Sequence, residues 1–449
     1  MESKDTKIKK FPESFIWGTA TASYQIEGYP LEDGASPSIW HEFSHIPGKI
    51  HNNENGDIAC DHYHRYEEDI LHLRNLGVKA YRFSIAWPRI VPSPYTVNDK
   101  GLDFYRRIIN KLLESGIEPF VTLFHWDTPL WLEKIGGLTN RESVNHFLFY
   151  AETLFKEFGD VVKHWISINE PVVYAVSGYI FGDMAPGKKR NPMGMFHATH
   201  YLLLCHAKTH KLLHTLIKTG KLGVAEAQIW MKPANPQSAK DVRASNFMDK
   251  LVNRTYIDPL TRGEYPEEVV KKFGKYLPWG FEKDLEDMQN TLDFAGINYY
   301  TSRTYKHSFF TPVTHAKEVQ TPGVKRSEMW EIYPEGLYNL LIRIRDEYDN
   351  IPTYITENGY PLKEENMKNP LEDDERIDYL KQHIKMALKA IEEDVNLKGY
   401  FLWSLLDNFE WAHGYDMRFG IIRVDFETLK RQWKKSAHWY KGLIASGKV

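Results

Sequence analysis

The sequence has almost no cysteine. Cys60 and Cys205 are its two in 449 residues. Two cannot build a disulfide framework, and no Cys-x-x-Cys pair offers a redox or zinc motif. It also has almost no net charge: 57 basic against 60 acidic side chains leave −3 with histidine neutral. No cationic excess exists to neutralise phosphates, which argues against nucleic acid as a partner. No apolar run approaches 18 residues, and Met1–Lys7 lead into no apolar segment. The expectation is a chain without membrane span or secretory signal, in a reducing cytoplasm. No glycine-rich phosphate loop follows any strand candidate. With 29 glycines and 23 prolines the chain is neither collagen-like nor of low complexity.

Aromatic residues are plentiful: 13 Trp, 26 Tyr and 23 Phe. Many can fill a core. The tryptophan share also suits a ligand with flat apolar faces and many hydroxyls, such as a sugar.

Short apolar runs alternate with long amphipathic stretches. The strand candidates are 15–19, 80–85, 118–124, 164–168, 222–225, 294–298, 353–356 and 400–403. Most are near-continuous apolar runs, as expected of parallel strands covered on both faces. Helical patterns fill 62–76, 103–115, 143–158, 196–219, 334–348, 374–393 and 433–444. Gly77 reads as the stop of the first. Segments 92–101, 185–193, 309–326 and 359–374 read as loops. Eight right-handed βα units close into a (β/α)8 TIM barrel with elongated βα loops. An open doubly wound sheet is the alternative, and it lacks the expected phosphate loop. One domain spanning 1–449 is expected, with residues 1–10 a flexible extension.

Barrel sites form where strands end. Strand two carries Arg82. Strand three runs into His125-Trp126, and strand four into Asn169-Glu170-Pro171. Strand six ends at Asn298-Tyr299-Tyr300, and strand seven at Glu357-Asn358-Gly359. Strand eight ends at Trp403, with Asn408, Glu410 and Trp411 beyond it. Gln25 and Glu27 follow strand one. Paired carboxyls among amides and indoles at one mouth suit glycosidic bond cleavage: one protonates the leaving oxygen, the other attacks or activates water.

Six stretches together carry a resemblance: 15–28 (FIWGTATASYQIEG), 81–89 (YRFSIAWPR), 122–127 (TLFHWD), Asn169-Glu170-Pro171, 355–359 (ITENG) and 403–411 (WSLLDNFEW). The chain resembles the retaining β-glycosidases of glycoside hydrolase family 1 over residues 11–445. The resemblance implies Glu170 as general acid/base and Glu357 as nucleophile. Arg82 and the Tyr300 hydroxyl would stabilise the Glu357 charge, and Asn169 would meet the sugar 2-hydroxyl. Gln25, His125, Trp126, Glu410 and Trp411 resemble the glycone-binding set, with Asn298 and Tyr300 in the same pocket. Trp403 resembles the platform under the ring, and Trp330 an aglycone-side tryptophan. The implied substrate is a small β-glucoside or short oligosaccharide, with β-galactosides and β-fucosides tolerated.

Glu410 would repel a 6-phosphate, and no phosphate clamp is visible nearby. A 6-phospho-β-glycosidase, a non-catalytic sugar-binding barrel and a transglycosylase are the other readings. Three positions depart from the family pattern: Val172, Met184 and His413. The first two are expected near the aglycone side. Of 19 histidines, His206 and His210 share a helix face and His62 lies near His64. No His-Glu-x-x-His occurs and sequence places no acidic third ligand, so no metal and no cofactor is expected. His197, His200 and His214 read as a mixed outer helix face.

Overall fold

The computed structural model describes residues 10–311 and 313–449. The expected N-terminal extension lies outside the described residues except for Lys10, which forms a β-bridge with Lys448. Eight parallel strands close a barrel: β1 (Ile16–Ala20), β2 (Ala80–Ser84), β3 (Glu118–Phe124), β4 (His164–Asn169), β5 (Lys221–Ala227), β6 (Phe294–Asn298), β7 (Thr353–Asn358) and β8 (Leu397–Trp403). Each pairs with its sequence neighbours, and β1 closes against β8 with Ile16 opposite Gly399. Helices return the chain between strands: α1 (His62–Leu76), α2 (Asp99–Glu114), α3 (Ser143–Phe158), α4 (Pro192–Leu216), α5 (Phe281–Met288), α6 (Pro334–Glu347) and α7 (Asp374–Glu392), with α8 (Lys435–Ser446) closing the ring. The (β/α)8 expectation holds.

Two cores explain the strand composition. The barrel interior is a small cluster holding Ala20, Ala80, Phe120, Ile166, Ala225, Phe294, Tyr354 and Phe401. Alternation of large and small residues fits the taper. Gly18 and Gly223 belong to this fit: a Cβ at Gly18 would stand 2.5 Å from the Phe401 ring, and one at Gly223 2.5 Å from the Phe294 ring. The second core is the larger layer between strands and helices, where Ile70, Leu73, Ile108, Leu154 and Leu341 meet the strands' outer faces. Strands covered on both sides are apolar at consecutive positions, which made them visible in sequence.

Gly77 caps α1 at φ 82°, donating to the Leu73 and Arg74 carbonyls. Most element boundaries shift by one to four residues, and three differences are larger in kind. Helix α2 starts at Asp99, inside the expected loop 92–101. Loop 309–326 contains a strand, Ala316–Val319, antiparallel to Ser302–His307, which also pairs with Trp230–Pro233. Between β5 and β6 the chain makes an excursion through helices Ala239–Asp249, Thr255–Arg262 and Glu267–Phe273 before α5. Of the three histidines expected on a mixed outer face, His200 does not lie there, and His206, which shares a helix face with His210, is buried as well. His200 is buried between Tyr265 and Asp284, and His206 between Ser167 and the Thr291 carbonyl.

Candidate active site

The carboxyls of Glu170 and Glu357 owe their aim to irregularities in the strands beneath them. Pairing of β4 with β5 shifts register between Ile166 and Asn169, and pairing of β7 with β6 shifts between Ile355 and Glu357. Such bulges re-aim the next side chain. Glu170 then takes a left-handed backbone (φ 46°, ψ 61°) before Pro171 starts a short helix, Pro171–Val176. Trp126 (φ 75°) and Trp411 (φ 50°) make similar sharp turns. Left-handed backbone at non-glycine residues stores strain, and here it turns three side chains into one opening.

That opening has a cavity volume of about 210 Å³. Ten of the residues predicted for the site line it: His125, Trp126, Glu170, Asn298, Tyr300, Trp330, Glu357, Trp403, Glu410 and Trp411. Arg82, Asn169 and Gln25 stand directly behind them, fully buried. Glu27 takes no part: it pairs with Arg89 at 3.3 Å and accepts from the Tyr105 hydroxyl at 2.7 Å.

The network is specific. Arg82 Nη1 donates to Glu357 Oε1 at 2.7 Å, and the Tyr300 hydroxyl donates to Glu357 Oε2 at 2.7 Å. Arg82 Nη2 donates to Asn169 Oδ1 at 2.6 Å. Asn298 Nδ2 donates to Glu170 Oε1 and to Asn169 Oδ1, both at 3.0 Å, and its own Oδ1 accepts from Thr356 at 2.7 Å. The Asn298 amide therefore ties Glu170 to Asn169, and through Asn169 to Arg82, the partner of Glu357.

Charge separates the pair. Glu170 has no cation in contact. Burial first, and then the Glu357 charge, push its carboxyl up to about 8. Burial pushes Glu357 up as well, but the Arg82 guanidinium and the Tyr300 hydroxyl pull against it. One proton shared between two such groups stays on Glu170. Burial and the same carboxylate hold the Tyr300 phenol well above its ordinary value, so it remains a donor.

Two buried polar atoms await partners. Asn169 Oδ1 is occupied by donors, so its amide nitrogen donates to His125 Nε2 at 3.0 Å. His125, kept neutral by burial and then by Arg82, carries its proton on Nδ1, which has no partner. Gln25 Nε2 donates to Asn408, to the Phe409 carbonyl and, at 3.3 Å, to Glu410. That leaves Gln25 Oε1 a buried acceptor without a donor. Buried polar groups ordinarily pair. A free donor and a free acceptor beside an indole-lined pocket suit a polyhydroxylated ring.

Val173, Met184, Ala227, Gln228, Ile229, Arg303, Met329 and Phe419 also line the opening and were not named from sequence, except Met184. Met184 stands where expected. Val172 instead packs below with Ala227 and Tyr256, and its neighbour Val173 takes the lining position.

Glu226 is the larger omission. Ala225 faces the barrel interior and Ala227 the opening, so strand alternation turns Glu226 to the outer face. It is buried and neither carboxyl oxygen has a partner. Burial, and then the Glu170 charge, raise it to about 8. An unfolded glutamate titrates near ~4.3, so between those values the folded state binds the extra proton and stability falls as pH rises. The melting temperature of Glu226→Gln, taken relative to the parent's, should therefore rise by several degrees between pH 4 and pH 8. Thermal unfolding across pH checks this; the slope is the readout, because a buried amide carries its own constant cost. Parallel curves would refute the assignment.

Comparison with known proteins places this geometry. The family model described as glycosyl hydrolase family 1 matches residues 7–449. Beta-glucosidase A of Thermotoga maritima is 49% identical over 442 residues, covering 97% of this chain and 98% of that protein. A 1,4-beta-D-glucan glucohydrolase of Thermotoga neapolitana is 47% identical, with the same coverage. The solved structure of the Thermotoga maritima β-glucosidase in complex with deoxynojirimycin superposes with a TM-score of 0.93 at 47% identity, over 98% of this chain and all of that one. The closed barrel, the carboxyl pair at its mouth and a match that runs nearly end to end agree: the chain belongs to glycosyl hydrolase family 1.

Proposed function

We propose that the protein is a retaining exo-β-glycosidase that releases terminal non-reducing β-D-glucosyl residues by double displacement. The observation that carries this reading is the asymmetry of the carboxyl pair: Glu357 is held by a guanidinium and a phenol, Glu170 by an amide alone. The ionised Glu357 attacks the anomeric carbon while Glu170 donates its proton to the departing oxygen. The C–O bond to the aglycone breaks as the ester to Glu357 forms. Esterification removes the charge that raises Glu170, which then ionises and takes a proton from water as water displaces the ester. Retention requires the carboxyls to stand about 5–5.5 Å apart. Asn169, fixed by Arg82, Asn298 and His125, is placed for the 2-hydroxyl, where a hydrogen bond strengthens in the oxocarbenium-like transition state. The names of the relatives, β-glucosidase and glucan glucohydrolase, favour glucosides and short β-glucans as substrates.

Glu410 selects against phosphorylated sugars. It lines the pocket, accepts from Gln25, and is raised to about 8 by burial and then by the Glu357 and Glu170 charges. A phosphate there would join three carboxyl groups. Among the described lining residues the one cation is Arg303, already paired with Glu318 at 3.6 Å. A phosphate there stands beside the Glu357 charge, holds Glu410 protonated against its own role as an acceptor, and finds no unpaired cation among the described lining residues, so kcat/KM for an aryl β-glucoside should exceed that for its 6-phosphate by about 100-fold or more. A panel of aryl glucoside, galactoside, fucoside, 6-phosphoglucoside and cellobiose measures this. Preference for the phosphorylated sugar would reverse the substrate assignment, and binding without turnover of any β-glycoside would refute the catalytic one.

A further inference from the structure

At the opposite end of the barrel, three side chains meet without an assigned purpose. His210 and His214 stand one turn apart on α4, and Asp293 immediately precedes β6. His214 Nε2 lies 3.0 Å from Asp293 Oδ2, His210 Nε2 lies 3.5 Å from the same oxygen, and the two imidazole nitrogens are 3.2 Å apart. We propose that these three atoms form a binding site for a zinc-class divalent cation that ties the end of α4 to the barrel floor.

The dimensions carry the argument. Tetrahedral zinc with bonds of about 2.05 Å separates its ligand atoms by about 3.3 Å. A circle through the three observed atoms has a radius of about 1.9 Å, so an ion ~2.05 Å from each stands ~0.8 Å out of their plane, against ~0.7 Å in an ideal tetrahedron. Two neutral nitrogens and one carboxylate oxygen are a ligand set zinc accepts, with water completing the fourth position. The second lone pair of Asp293 Oδ2 accepts the Leu222 N–H at 2.8 Å, which fixes the carboxylate. Its other oxygen faces Lys221 at 3.8 Å, a half-exposed cation free to swing away. The side chains are 14 to 31% exposed, so an ion can reach them. His206, the residue that sequence pairs with His210, is already bonded through both ring nitrogens and takes no part. The second such group, His41, His45 and Asp57, is less apt because its histidines approach different carboxylate oxygens.

The ion would act on stability. Asp293 exchanges hydrogen bonds with Leu222, where the floors of β5 and β6 meet, whereas Glu170 and Glu357 sit at the other ends of the strands. An ion that binds the folded state alone stabilises it by mass action. Chelator-treated full-length protein should bind stoichiometric Zn²⁺ in equilibrium dialysis. Co²⁺ should give the visible bands of a four-coordinate site, which Zn²⁺ displaces. At about 100 times the dissociation constant, Zn²⁺ should raise Tm by about 3 °C. Glycoside turnover at moderate temperature should be equal with and without metal. His214→Gln and His210→Gln should each abolish binding and the Tm shift, while His197→Gln, on the same helix outside the cluster, keeps both. No chelator-sensitive binding, or binding that survives both substitutions, would show a hydrogen-bonded cluster only and overturn the site.

Discussion

Glu357→Gly should lower kcat by about 10⁵-fold or more on every β-glucoside, whatever its leaving group. The size follows from position. A nucleophile takes part in both chemical steps, so a better aglycone cannot make up for its absence. The substitution also leaves Arg82 buried without its carboxylate, with the neutral groups Asn169, Thr122 and the Thr356 carbonyl as its partners. An unpaired buried charge of this kind costs roughly 3–5 kcal/mol. Azide answers both deficits at once: a small anion fits the vacated space, neutralises Arg82 and attacks the anomeric carbon from that face. One displacement replaces two, so the product should be the α-glucosyl azide, of inverted configuration. Product analysis by NMR decides. A β-azide, or activity that survives the substitution, would remove Glu357 from the proposed role.

The barrel was legible because its strands are buried on both faces; 118–124 and 294–298 are apolar enough to match β3 and β6 in full. Elements with weaker local signatures were not. The excursion between β5 and β6 is built of helices of seven to eleven residues, too short for a clear period. The strand Ala316–Val319 is held by its pairing with Ser302–His307, a constraint no local window contains. Site residues at strand ends could be named because a barrel gathers strand ends in one place. Glu226 could not, because its neighbours come from other elements: the Glu170 turn after β4 and Tyr256 beyond β5. The same reason hid Asp293. Sequence places His210 and His214 on one helix, but their carboxylate arrives 79 residues later than His214.

Replacement of Glu170 should separate substrates rather than silence them. In Glu170→Gln, cellobiose and alkyl glucosides, whose leaving oxygens need a proton, should lose about 10²- to 10⁴-fold in kcat/KM, the usual weight of general acid catalysis. Aryl glucosides with strongly acidic phenols leave unprotonated, so their glycosylation step should change little. Their turnover should then stall at deglycosylation, visible as a burst of phenol, because no base activates water. The pH profile gives a second reading with a defined sign. Glu170 works protonated and its carboxyl lies up near 8 through burial and then the Glu357 charge, so parent kcat/KM falls as pH rises through about 8. The glutamine variant has no proton to lose, and its alkaline limb should vanish for activated substrates. Glu410 titrates in the same range, raised by burial and by both carboxylates. A limb that persists in Glu170→Gln would therefore belong to Glu410. If the limb persisted and the loss were uniform across leaving groups, the proton would not come from Glu170.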